Sequence, residues 1–245
     1  MKRLILLILS LGFILILCSF HVRTYDEYDV EENFSDAPNS TETVSNIVPL
    51  LVSVKSKQTP TMNPIVEEIV YEFDPDADYV ALMIEAAVSG DITLGNEYER
   101  LHKLQSAHFG INNPLNFDDL YLLAKIVEVE AGSSWITDEH KQMVASVVVN
   151  RVNSPEFPDT MYDVVYQRRQ YAAAGTKYFE ELIPSESSVR NALYVLQNGS
   201  IAPETVVFQA EFKQGSSVYK TYNPEKLGTT YFCHSSYPEL YADHE

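Results

Sequence analysis

Cysteine is scarce in this chain, which holds only Cys18 and Cys233 among its 245 residues. Cys18 lies within an apolar N-terminal segment, so the sequence does not predict a disulfide framework. The fold must therefore be stabilised by core packing alone. A hydrophobic content of 45%, with 16 tyrosines and 11 phenylalanines, is sufficient for such a core.

Basic residues are also few. The chain has 17 lysines and arginines against 35 aspartates and glutamates, which gives a formal net charge of −18. Nucleic-acid binding requires a basic surface, so we expect no nucleic-acid partner. The same charge argues against simple adsorption to anionic lipid.

Metal-ligand patterns are absent from the sequence. The six histidines show no H-E-x-x-H or related spacing, so we expect no metal and no cofactor. His140 falls in the first turn of a predicted helix and is expected to be exposed. The pair Cys233-His234 raises the alternative of a cysteine peptidase. Adjacent residues at a strand end cannot easily face each other, and nucleophilic cysteines usually lie at a helix N-terminus, so this alternative is disfavoured.

The N-terminus carries an uncharged apolar stretch from Leu4 to Phe20, preceded by Lys2 and Arg3 and followed by an acidic run. Its length lies near the lower limit of a membrane span, and the charge asymmetry places the remainder outside the cell. We therefore expect residues 1–23 to be an uncleaved signal anchor, with a cleaved signal peptide as the second alternative and a lipoprotein modified at Cys18 as the third. The predicted location is extracytoplasmic, either attached to the membrane through this segment or secreted to the cell wall.

Two further zones precede the main domain. Residues 24–75 are acidic, poorly periodic and rich in polar residues, which predicts a disordered linker. Residues 76–115 contain two apolar-periodic stretches separated by Ser89-Gly90-Asp91. They predict a helical hairpin packed on the main domain, or a spacer.

Residues 116–245 form the predicted compact domain. Asp118 or Asp119 is expected to cap a helix that reaches Ala131, and Thr137 to cap the next. After several helices, the segments 205–210, 217–222 and 229–233 are short and rich in β-branched and aromatic residues. The predicted fold class is α+β and mostly α, with a small C-terminal antiparallel β element.

The helix that ends at Ala131 carries two glutamates. Glu128 and Glu130 are separated by about 200° around a helix axis. Glu130 continues the apolar stripe of Leu123, Ile126 and Val127, so it is predicted to face inward. Glu128 is predicted to lie on the solvated face.

Two interpretations of Glu130 remain open at this point. In the first, it reaches solvent past Ala131 or pairs with an arginine such as Arg151. In the second, it is a general acid, because a carboxyl group held against apolar side chains keeps its proton near neutral pH. Glycoside-cleaving enzymes use such an acid at the edge of a cleft.

The order of several short motifs is more specific than any one of them. An Ala-Glu-Ala-type helix end, an apolar helix ending in Asn-Arg-Val, a Phe-Pro loop and a Tyr-Gln segment follow one another. They stand here as Val129-Glu130-Ala131, Asn150-Arg151-Val152, Phe157-Pro158, Val164-Val165-Tyr166-Gln167 and Gln170-Tyr171. Over about residues 119–235 the chain resembles the spore-cortex-lytic (SleB-like) cell wall hydrolase family.

The resemblance implies a lysozyme-like catalytic domain that acts on peptidoglycan glycan strands. It implies that Glu130 is catalytic and that cleavage between N-acetylmuramic acid and N-acetylglucosamine follows the lytic transglycosylase route. In that scheme one glutamate protonates the glycosidic oxygen and then accepts the proton of the C6 hydroxyl, leaving a 1,6-anhydro end. The sequence offers no convincing second carboxylate.

Other polar and aromatic residues are candidates for binding sugar rings through stacking and amide contacts. They are Asn150, Arg151, Tyr166, Gln167, Gln170, Tyr171, Phe208 and Gln209. The chain departs from the family pattern at Gly132, Ala172 and Thr230, which keeps a non-catalytic wall-binding domain as an alternative. A lysozyme-type muramidase is the second alternative, and the sequence is silent on oligomeric state.

Overall fold

The computed structural model describes residues 52–54, 69–224 and 228–241. The predicted signal segment 1–23 lies outside these residues, as does most of the predicted linker 24–75. Within the described ranges, no helix is both long and apolar enough to cross a bilayer. Two short stretches of the linker pair as antiparallel strands, β1 (Val52–Val54) and β2 (Ile69–Tyr71).

The described residues form seven α-helices, each of which begins at a capping side chain. They are α1 (Tyr79–Ser89), α2 (Ile92–Phe109), α3 (Phe117–Ala131), α4 (Asp138–Val152), α5 (Met161–Tyr166), α6 (Lys177–Glu181) and α7 (Glu186–Asn198). Each cap is an Asp, Asn, Thr or Ser that accepts a hydrogen bond from the backbone N–H three residues further on. Thr137 caps α4 as predicted. The cap of α3 is Asn116, and the predicted Asp118 and Asp119 lie in its first turn.

A three-stranded antiparallel sheet follows the helices. Its strands β3 (Val206–Ala210), β4 (Val218–Tyr222) and β5 (Thr230–His234) lie in the order β3–β5–β4. A short 3-10 helix (Pro238–Tyr241) ends the described chain. The predicted mostly helical fold with a small C-terminal antiparallel β element is thus confirmed.

Strand β3 contains a bulge. Val206 lies opposite His234 and Phe208 lies opposite Cys233, so Val207 is the additional residue on this strand. A bulge leaves backbone groups free of the ladder and changes the direction of the side chains that follow it. It therefore decides where the carbonyl group of Val207 and the side chain of Gln209 point.

Helix α3 lies at the centre of the core. It packs against α4 and α7, and Leu120, Leu123 and Ile126 have no exposed surface. Even Lys125 is buried: its Nζ donates to the carbonyl oxygen of Glu180 at 3.1 Å and lies 4.7 Å from the ring centroid of Phe179. Helix α3 is therefore covered by other elements on several sides.

The hairpin of α1 and α2 shares this core. Tyr79, Met83 and Leu101 are fully buried in the same hydrophobic cluster as α3. The Glu99 carboxylate accepts a hydrogen bond from the backbone N–H of Phe117 at 2.7 Å, which satisfies a free donor at the start of α3. The 76–115 segment is thus held on α3 by both apolar and polar contacts.

His140 lies in the first turn of α4, a position for which the sequence predicted exposure. That prediction is wrong, because the ring is buried between α4 and the sheet. It stacks on Tyr222 with centroids 4.4 Å apart and meets the edge of Phe232 at 5.7 Å. Burial lowers the pKa of His140 from 6.5 to about 4.

Candidate active site

Glu130 lies in the last turn of α3, where its side chain is half-buried. Its Oε2 accepts a hydrogen bond of 3.1 Å from Nε2 of Gln209 on β3. The predicted inward orientation of Glu130 therefore agrees with the structure. The contact joins the end of a central helix to the sheet, and it brings together two residues that the sequence singled out separately.

Glu128 points away from this contact but not into solvent, so the predicted solvated face is wrong. Its Oε2 accepts hydrogen bonds from the backbone N–H of Ser185 at 3.0 Å and from the hydroxyl groups of Ser185 and Ser188, each at 2.6 Å. Helix α7 covers this face of α3, and its N-terminus needs an acceptor. A β-carbon on Gly132 would come closest to the backbone carbonyl oxygen of Glu128 and would lie 2.6 Å from Oε1 of its carboxylate, so the backbone of this turn leaves no room for a side chain at position 132.

Arg151 is buried at the end of α4, where three contacts fix its guanidinium group. Nε donates to the carbonyl oxygen of Val207 at 2.7 Å, which the bulge in β3 leaves available. The guanidinium carbon lies 5.2 Å from the ring centroid of Phe157 and 5.2 Å from that of Tyr171. Such contacts with aromatic faces suit a planar cation.

The pKa values of Glu130 and Tyr171 depend on burial and on the neighbouring groups of this cluster. Burial raises the pKa of Glu130, while the hydrogen bond from Gln209 and the charge of Arg151 oppose that rise. Burial likewise raises the pKa of Tyr171, with Arg151 opposing the rise and Glu130 adding to it. The net result is a carboxyl group that keeps its proton at a higher pH than an exposed glutamate, surrounded by groups that stabilise its anion.

Three residues of this cluster, Arg151, Tyr171 and Gln209, carry a buried polar atom without a hydrogen-bond partner. Seven such side-chain atoms occur in the described part of the chain, and four belong to residues predicted to bind sugar. They are Arg151 Nη1, Gln167 Oε1, Tyr171 Oη and Gln209 Oε1. Buried polar groups nearly always have partners in folded proteins, so these atoms call for a partner from outside the chain, such as an ordered water molecule or a bound ligand.

Phe208 is half-buried and joins this group through Phe157. The two rings meet edge to face with centroids 6.4 Å apart. Phe157 thus contacts both Phe208 and the guanidinium group of Arg151. An aromatic side chain in this position can offer an apolar surface to a sugar ring.

Asn150 has a different environment. Its Nδ2 donates to the carbonyl oxygens of Pro203 at 2.8 Å and Val206 at 3.0 Å, and the residue is buried. These contacts attach the start of β3 to α4. The geometry therefore favours a role for Asn150 in placing the strand that carries Gln209.

Tyr166 and Gln170 have no described contact with Glu130. Tyr166 is exposed at the end of α5, with its ring 4.5 Å from that of Tyr162 and 6.2 Å from that of Phe179. Gln170 is half-buried, and its backbone N–H donates to the carbonyl oxygen of Gln167 at 3.1 Å. Both lie on the segment that leads to Tyr171, and Gln167 on the same segment has no described contact with Glu130 either.

Residues 137–233 match a family model described as Cell Wall Hydrolase. The predicted resemblance to the cell wall hydrolases is confirmed.

A solved structure, the catalytic domain of the Bacillus cereus SleB protein, is also similar to part of the chain. The sequences are 24% identical, the match covers 49% of this chain and 93% of that one, and the TM-score is 0.39. No curated protein matches the chain.

The cell wall hydrolase match contains every residue that the sequence predicted to bind sugar, from Asn150 to Gln209. Glu130 precedes the matched segment. Its place beside Gln209, Arg151 and Tyr171 therefore comes from the tertiary structure, which brings the end of α3 against the matched part of the chain.

Sequence reasoning missed two contributors to the site. Phe157 was noted as part of the Phe-Pro motif but not as a partner of Arg151. The bulge at Val207 was not expected, since a short β-branched run carries no local signal for an additional residue. Of these two contributors, only Phe157 could have been found from the sequence, because it lies six residues after Arg151 in a turn-rich loop.

Proposed function

We propose that this protein is a peptidoglycan hydrolase that cleaves the glycan strand between N-acetylmuramic acid and N-acetylglucosamine, as a lytic transglycosylase with a lysozyme-like catalytic domain. One observation carries the proposal: a half-buried Glu130 with a raised pKa faces Gln209 and Arg151, beside buried polar atoms that lack partners. The cell wall hydrolase match supports the substrate class.

The first step uses Glu130 as an acid. Because its pKa is raised, the carboxyl group keeps its proton at a higher pH than an exposed glutamate does, and it can donate that proton to the glycosidic oxygen. The bond between that oxygen and C1 of N-acetylmuramic acid breaks, and positive charge develops on the sugar ring. Glu130 becomes a carboxylate, which the amide of Gln209 and the charge of Arg151 stabilise.

The second step uses the same residue as a base. The carboxylate accepts the proton of the C6 hydroxyl group while O6 forms a bond with C1. The product is a 1,6-anhydro sugar, Glu130 regains its proton, and no water is consumed. One carboxyl group suffices for both steps.

The positions of the neighbouring carboxylates support a mechanism with one glutamate. Glu128 is engaged with the N-terminus of α7. Glu156 accepts hydrogen bonds from Tyr241 at 2.7 Å and from Ser235. Both have partners that occupy them, whereas a muramidase would need a second carboxylate directed at the substrate.

The site of action is part of the same proposal. The apolar segment 1–23 and the acidic linker 24–75 support a domain that is exported and either held at the membrane or released to the wall. Its partners would be peptidoglycan glycan strands and, through the N-terminal segment, the membrane.

Mass spectrometry of fragments released from purified peptidoglycan tests the proposal. We expect ends in 1,6-anhydro-N-acetylmuramic acid from the wild type, and release at least about a hundredfold slower from Glu130→Gln. Glu181→Gln is the matched control, because Glu181 is exposed and makes only a surface ion pair with Lys177.

Other outcomes would select the alternatives. Reducing ends would indicate water as the nucleophile and therefore a muramidase. Binding to peptidoglycan without fragments from either cortex or vegetative wall would indicate a non-catalytic wall-binding domain.

A further inference from the structure

We propose that Gln209 is a positioning residue for Glu130 rather than a sugar-binding residue: its amide holds Oε2 of Glu130 and leaves Oε1 as the atom that transfers the proton. This inference rests on the proposed function, since it assigns a role within the same site. It differs from the expectation from sequence, in which Gln209 contacts the substrate.

The backbone of β3 places the Gln209 amide. The bulge at Val207 changes the register of the strand just before Gln209, and Arg151 Nε fixes the bulge through the Val207 carbonyl group at 2.7 Å. Asn150 holds the first residue of the same strand through the carbonyl group of Val206 at 3.0 Å. Two adjacent residues of α4 thus fix the part of β3 from which the amide extends.

The amide then selects one oxygen of the carboxyl group. Gln209 Nε2 donates to Glu130 Oε2 at 3.1 Å. An oxygen that accepts this bond is a poor place for the acidic proton, because the amide N–H would face an O–H. The proton therefore belongs on Oε1.

A neutral donor suits an acid that must regain its proton. A cation in the place of the amide would add the attraction of a full positive charge to the hydrogen bond, which would favour the ionised form of Glu130. The amide opposes the effect of burial on the pKa of Glu130 without abolishing it. The other groups that face Glu130 are Arg151 from α4 and Tyr171 from the loop after α5, while Glu128 on the same helix faces α7.

The test measures the titration of Glu130 directly. Carbon-13 NMR of the Glu130 carboxyl group is recorded against pH in the wild type, in Gln209→Leu and in Gln142→Leu. Gln142 is the matched control, since it donates one side-chain hydrogen bond of 2.9 Å to Asn191, between α4 and α7. Gln209→Met, which is unbranched and of similar length, repeats the measurement in case leucine disturbs β3.

We expect the Glu130 titration to move to higher pH in both Gln209 variants, because the carboxylate loses a donor, and to stay unchanged in Gln142→Leu. Kinetics on peptidoglycan should show kcat reduced by up to about a hundredfold with KM unchanged, and the alkaline limb of the pH profile moved upward. An unchanged Glu130 titration would overturn the inference, and so would a raised KM with unchanged kcat.

The two proposals fail in different ways. If the wild type releases no fragments but the Glu130 titration still moves in Gln209→Leu, the proposed function is wrong and the pairing of Gln209 with Glu130 stands. If the wild type releases anhydro fragments and the titration does not move, the proposed function stands and the role of Gln209 is overturned.

Discussion

The carboxylate of Glu128 accepts two hydrogen bonds from Ser185, one from its backbone N–H at 3.0 Å and one from its hydroxyl group at 2.6 Å. Ser185 is itself the N-cap of α7. The last turn of α3, which carries Glu130, is therefore attached to the start of α7. A change at this contact should lower the stability of the fold, and it should disturb Glu130 only through the shared last turn of α3.

Replacing Glu128 by alanine should lower the free energy of unfolding by about 2–3 kcal/mol, because α7 loses a charged acceptor at its N-terminus. Urea denaturation of the variant and the wild type measures this difference. Glu181→Ala removes an exposed glutamate and should change the free energy by about 0.5 kcal/mol or less. Equal losses in the two variants would contradict the structural role of Glu128.

The buried ring of His140 should make stability depend on pH. The pKa of His140 is lowered to about 4 in the folded chain from an ordinary value of 6.5, so the unfolded chain binds the proton first as pH falls. The free energy of unfolding is unaffected by this group above about pH 6.5 and decreases by about 3 kcal/mol as pH falls to about 4.

His140→Phe keeps an aromatic ring against Tyr222 and Phe232 but removes the titrating group. We expect its stability to fall less steeply between pH 6.5 and 4 than that of the wild type. Urea midpoints at several pH values in this window make the comparison. Parallel curves for the two proteins would show that another group causes the acid loss.

Gly95 provides a test of how the α1–α2 hairpin docks. A β-carbon at this position would overlap the ring of Phe117, so alanine cannot be accommodated without moving that ring. Helix propensity alone predicts that Gly95→Ala stabilises α2 by about 1 kcal/mol. We expect instead a loss of about 1–3 kcal/mol from overpacking.

Thermal unfolding of Gly95→Ala measures this effect. Asn96→Ala is the control, because Asn96 is the exposed neighbour on the same helix and should respond to propensity alone. A stabilised Gly95→Ala protein would mean that Phe117 does not pack on Gly95.

Two substitutions of Arg151 separate its charge from its geometry. Arg151→Met removes the cation that lowers the pKa of Glu130, so the alkaline limb of fragment release should move to higher pH. Arg151→Lys keeps a charge but loses the planar contact with Phe157 and Tyr171 and the bond from Nε to Val207.

We therefore expect Arg151→Lys to lower the rate of fragment release by about tenfold or more while moving the alkaline limb little. The pH profile of each variant on purified peptidoglycan provides both readouts. Identical profiles for the lysine and methionine variants would show that the charge of Arg151 does not act on Glu130.

Patterns along the chain were sufficient for the long helices, for the C-terminal strands and for much of the candidate site. The cap at Thr137, the helix end at Ala131 and the C-terminal strands follow from local periodicity and capping residues, and all occur in the structure. The inward orientation of Glu130 also follows from helix geometry. Residue types and motif order were enough to select Arg151, Tyr171 and Gln209, which the structure places around Glu130.

The sequence by itself determined the mostly helical fold with its small sheet, the capped helices and the side of α3 on which Glu130 lies, because these depend on residues a few positions apart. Only the tertiary structure decided that α7 covers Glu128, that His140 and Lys125 are buried, and that Asn150 holds β3 instead of facing the site. The contact between Glu130 and Gln209 joins residues 79 positions apart and depends on a bulge in β3. Local preferences do not determine which distant surfaces meet, since that choice is made by the packing of the whole domain.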